Sequence, residues 1–111
     1  MDNKKTNPYY IGKIITDLKF ILEHTDSLTQ QELESNEILV DSVMFRLIQI
    51  SENSDKLTDM FKQQYPAIPW RAVKGMRNRI VHEYGNVDLA VVYDTVRNDI
   101  PNLIKELEKI V

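Results

Sequence analysis

No cysteine occurs in the 111 residues, which excludes a disulfide framework, a thiolate metal site and a thiol nucleophile, and suits a reducing cytosol. Three glycines and four prolines are too few for the turns of an all-β chain, so helices are favoured. No apolar run approaches the length of a membrane span, and the opening MDNKKTNPYYIGK lacks the apolar segment of a secretory signal. A cytoplasmic protein with one domain over 1–111 is expected. Also missing are a glycine-rich phosphate loop, a G-x-S-x-G elbow and an H-E-x-x-H pair. His24 has no second histidine within a helical turn and reads as a surface or core-edge residue, and the carboxylates of QQELESNE read as solvated surface. Neither a metal nor a cofactor is expected.

Acid of any kind is absent between Asp59 and Glu83, while Lys62, Arg71, Lys74, Arg77 and Arg79 fall inside that window. The window therefore carries +5 in a chain of net charge −3, which leaves −8 for the rest. A local basic face on an acidic protein can engage phosphates without making the whole surface attractive to polyanions. A solvated helix face would look the same from charge alone.

Hydrophobic spacing predicts an all-α bundle of about four principal helices plus a short connector. Asn7 followed by Pro8 resembles an N-cap and first helical position, and Ile11, Ile14, Leu18 and Ile21 repeat at helical spacing to about Thr25. Thr29 and Glu32 have the capping-box spacing, which predicts a helical turn over 30–35. From Asn36 an apolar stripe through Val43, Leu47, Ile50, Leu57 and Phe61 predicts one central helix to about Gln64. The segment YPAIPW stops it, and Pro69 is placed to open a helix running to about His82. Gly85 and Asn86 supply a turn, Asp88 caps the next helix, and Pro101 is expected to break or kink it before Leu103.

Chemistry concentrates in MRNRIVHEYG, residues 76–85. An imidazole titrates near neutrality and relays protons, while a guanidinium holds a phosphate and stabilises the charge that grows on it. Arg77 and His82 are five residues apart, about 140° around an ideal helix. A continuous helix would splay them. They meet if the helix ends or tightens near His82, or if a second copy of the chain completes the site.

The stretch YPAIPWRAVKGMRNRIVHEYG resembles the signature of the HepT-like toxins of the HEPN superfamily, whose R-x4-H-x-Y hallmark is matched by Arg77, His82 and Tyr84. RLIQISE resembles the family's long-helix segment, which usually has glycine where Ser51 stands before Glu52, and NDIPNLIKELEKI resembles its Leu-Pro tail. The resemblance implies a HEPN-type homodimer acting as a metal-independent ribonuclease toxin. Its partner would be a minimal nucleotidyltransferase antitoxin that attaches AMP to Tyr84. Arg77 and His82 would be catalytic, Asn78 supporting, and Arg71, Lys74 and Arg79 flanking RNA contacts. The alternative is a HEPN binding module that pairs with a nucleotidyltransferase, or holds nucleotide or RNA, without cutting.

Overall fold

The computed structural model describes residues 6–83 and 86–110, and the chain is all-α apart from one small ribbon. Helix α1 spans Asn7–Thr25, α2 Gln30–Glu34, α3 Glu37–Asp55, α4 Asp59–Gln64 and α5 Trp70–Ile80. Strands β1 (Val81–Glu83) and β2 (Asn86–Val87) follow, then α6 (Leu89–Asp94), a π-type turn at Thr95–Asp99 and α7 (Ile100–Glu108). Ile11, Ile14, Leu18 and Ile21 of α1 meet Val43, Leu47 and Ile50 of α3, with Val92, Ile100 and Leu107 of the last helical segment closing the core. Val73 and Met76 dock α5 onto this core. None of the described helices is long and apolar enough to cross a membrane.

Several local expectations hold in atomic detail. Thr29 and Glu32 form the capping box, with Glu32 N donating to Thr29 Oγ1 at 3.1 Å and Thr29 N donating to Glu32 Oε1 at 2.9 Å. Asp88 Oδ1 accepts from Ala90 N and Val91 N at 3.1 and 3.2 Å, which satisfies two orphan donors at the start of α6. His24 is exposed; its Nδ1 lies 2.8 Å from Phe20 O and its ring stacks on Phe20.

Helix α5 begins at Trp70, one residue after the expected Pro69, and four further boundaries differ from expectation. Thr6, not Asn7, precedes the first helical residue of α1. The Asn7 amide instead reaches across the fold, accepting from Thr58 N at 3.1 Å and donating to Thr58 Oγ1 at 3.2 Å. That contact marks the second difference: the expected central helix breaks after Asp55, and Thr58 caps a separate α4 by accepting from Phe61 N at 3.2 Å. Asn53, Ser54 and Asp55 are three poor helix formers in succession, and Leu57 is buried at the break. Third, α5 ends at Ile80, two residues earlier than expected, because Val81–Glu83 pair with β2.

Pro101 gives the fourth. It breaks nothing, since α6, the π-type turn and α7 follow one another with helical dihedrals at Thr95 and Ile100. A proline ring clashes with the carbonyl four residues earlier and provides no N–H for it. The wide turn just before it, in which Ile100 N donates five residues back to Thr95 O, absorbs that misfit without ending the helical run.

Candidate active site at the end of α5

Helix α5 buries Val73 and Met76 at helical spacing, and its entry is held by the Trp70 indole, which donates to Lys62 O at 3.0 Å and Tyr65 O at 3.1 Å. Ser51 ties its middle to α3. This serine is 5% exposed, and its hydroxyl donates to Lys74 O at 2.7 Å. The sequence marked Ser51 only as a departure from the usual glycine; its hydroxyl makes a direct bond between the two helices.

Arg77 and Asn78 stand near the helix end, three and two residues before its last residue Ile80. His82 lies beyond it, in β1. The antiparallel pairing sets Val81 opposite Val87 and Glu83 opposite Asn86. Two residues of β1 thus advance against one of β2, and His82 is the extra residue of a bulge. Bulges re-aim a side chain and interrupt pairing, and they are over-represented next to active sites. The backbone therefore does not run as one helix from Arg77 to His82. The side chains of Arg77 and His82 lie outside the described ones, as does Tyr84 altogether.

Asn78 is exposed and lines a polar depression of about 390 Å³ with Ser51, Glu52, Asp55 and Lys56 of the α3 end and Lys74 of α5. Lys74 Nζ sits 3.3 Å from Asp55 Oδ1, and both side chains are mostly exposed. A pair that wet is weak and can exchange its carboxylate for a phosphate. Arg71 is exposed on the same helix. Arg79 is engaged differently: Nη1 lies 3.4 Å from Asp99 Oδ2 and Nη2 donates to Thr95 Oγ1 at 3.5 Å.

The acid-free window of the sequence is thus not acid-free in space, because Asp55 and Asp99 arrive from α3 and the π-type turn. The α3 side of the depression and the partners of Arg79 were missed by sequence reasoning. Only the run of polar residues SENSDK at 51–56 hinted at the former. Among the described residues no three His, Asp or Glu side chains gather as they would around a metal ion.

A family model described as ribonuclease HepT-like matches residues 14–110. A probable ribonuclease HepT from Thermococcus cleftensis is 31% identical over 107 residues, covering 96% of this chain and 97% of that one. A protein named as a putative RNase from Methanocaldococcus jannaschii is 29% identical over 108 residues, covering 97% and 89%. Another so named, from Caldanaerobacter subterraneus, is 26% identical over 106 residues, covering 96% and 95%. No solved structure matches the chain significantly.

Proposed function

The chain belongs to the HepT-like ribonuclease family, and on that basis we propose that it cuts RNA without a metal ion, using Arg77 and His82. Arg77 binds the scissile phosphate and stabilises the charge that develops on it. His82 takes the proton from the ribose 2′-hydroxyl or returns one to the departing 5′-oxygen. Attack of the 2′-oxygen on phosphorus forms one P–O bond and breaks the P–O5′ bond, leaving a 2′,3′-cyclic phosphate and a 5′-hydroxyl. Asn78 orients a neighbouring group, and Arg71 and Lys74 contact flanking phosphates. The observation that carries this reading is the end of α5 at Ile80 followed by the bulge at His82. It removes the geometric objection that an unbroken helix would turn the two groups apart.

The rest of the reading follows the family. The protein works in the cytoplasm as the toxin of a pair, forms a homodimer that brings two motifs to a shared cleft, and is neutralised when a minimal nucleotidyltransferase attaches AMP to Tyr84. A phosphate ester beside Arg77 would occupy the place that RNA phosphate needs. Incubation of the purified protein with RNA in excess chelator tests the chemistry. Cleavage should persist and leave cyclic phosphate ends, and His82→Ala and Arg77→Ala should each lose about 100-fold or more in rate. Loss on chelation, or full activity of His82→Ala, would refute it. For the modification, mass spectrometry after incubation with the partner enzyme and ATP should find an adenylyl adduct that Tyr84→Phe does not accept.

A second reading, a binding module that does not cut, is favoured by one observation. Lys74 and Arg79 both face carboxylates, which lowers the field available to RNA. Growth arrest on expression that disappears in Arg77→Ala would decide for cleavage.

A further inference from the structure

Arg79 was grouped with the RNA contacts because it is a cation beside the motif, but its surroundings describe another task. It is the penultimate residue of α5, one residue before the helix gives way to β1. Its guanidinium spans the two ends of the π-type turn, with Nη1 3.4 Å from Asp99 Oδ2 and Nη2 3.5 Å from Thr95 Oγ1. Thr95 is itself held: it is 1% exposed, and its hydroxyl donates to Val91 O at 2.8 Å. The acceptor that Arg79 reaches is therefore fixed in the core.

A cleft of about 400 Å³ opens between α5 and α7, walled by Ala72, Met76, Asn102 and Leu103, and Arg79 and Asp99 stand among its lining residues. Apolar contact between the two helices is interrupted there. Among the described side chains, the polar links from the last turn of α5 to the rest of the fold are the two made by Arg79. The ion pair with Asp99 is itself wet, each side chain 43% exposed, and weak like that of Lys74; what Lys74 lacks is a second partner in the core, which Arg79 has in Thr95.

We propose that Arg79 is a positioning residue: with Asp99 and Thr95 it clamps the last turn of α5 to the π-type turn and so fixes Arg77 relative to His82. This inference rests on the ribonuclease reading for its kinetic consequence, not for its structural one. Because a displacement of about 1 Å in a catalytic constellation can cost about 100-fold in rate, releasing the clamp reduces turnover far more than binding.

Kinetics on a short RNA, with Arg79→Ala, Asp99→Asn, the double variant and Arg79→Lys, test it. Arg79→Ala and Asp99→Asn should each lower kcat by about tenfold or more with KM changed less than about twofold, and the double variant should lose no more than either alone. Arg79→Lys should recover part of the loss. An RNA contact behaves oppositely: Asp99→Asn would then leave kcat intact and tighten binding, and Arg79→Ala would raise KM, which would overturn the proposal. Amide hydrogen exchange over residues 77–83 supplies the readout that needs no activity. Faster exchange in both single variants at unchanged global stability is expected, and unchanged exchange would overturn the clamp even if the wild-type protein proved unable to cut RNA.

Discussion

Among the described residues, Asp17 is the buried carboxylate. Its side chain is 8% exposed and is matched by Arg46, whose Nη1 lies 2.7 Å from Asp17 Oδ1 and whose guanidinium rests 3.9 Å from the centre of the Phe20 ring. The pair and the stacked cation join α1 to α3. Removing one partner leaves an uncompensated buried charge, whereas replacing both with neutral groups of similar size does not. Arg46→Ala should therefore lower stability by about 2 to 3 kcal/mol, a figure reduced for the 30% exposure of Arg46. The double variant Asp17→Asn/Arg46→Met should lose clearly less; urea denaturation compares them. Nothing in the spacing of Asp17 and Arg46, 29 residues apart, foretold their meeting. The Thr29 and Asp88 caps, by contrast, were legible because each acts within three residues.

At the scale of elements, α5 shows which features of a helix are intrinsic and which are imposed. Gly75 lies in its middle, where a helix gains from any side chain that restricts the unfolded backbone. A methyl group added there meets nothing within 4 Å. Gly75→Ala should accordingly stabilise the protein by about 0.5 to 1 kcal/mol, seen as a Tm raised by a few degrees with the helix signal in circular dichroism retained or increased. A lower Tm would mean that the glycine serves a contact made in an assembly. The end of α5 is imposed. Val81 and Glu83 leave the helix because β2 offers them partners, His82 going with them as the bulged residue, and a partner segment cannot be read from helical periodicity. The π-type turn before Pro101 is likewise a solution found by packing to a problem visible in the sequence.

Over the whole molecule the charge is acidic, so affinity for RNA has to come from a few cations acting locally. Arg71, Lys74 and Arg77 would neutralise about three phosphates, for which the logarithm of affinity should fall with the logarithm of salt at a slope of about −2. Fluorescence anisotropy with an uncleavable 2′-O-methyl oligonucleotide between about 50 and 200 mM salt measures this. A slope near about −4 would mean that both copies of the proposed dimer lend these cations to one RNA, and a slope steeper than that would place the contact surface well beyond this window.

What the sequence determined by itself was what depends on near neighbours: helical class, the capped starts of α2 and α6, the apolar faces that bury, and the motif joining Arg77, His82 and Tyr84. These follow from hydrophobic period and from hydrogen bonds spanning a few residues, which any segment carries with it. Tertiary structure alone decided that α3 stops at Asp55, that His82 stands in a bulge past the helix end, and that Arg79 spends its charge on Asp99 and Thr95. Each of those outcomes depends on a group brought from elsewhere in the chain, and the energy that selects it exists only once the helices have packed.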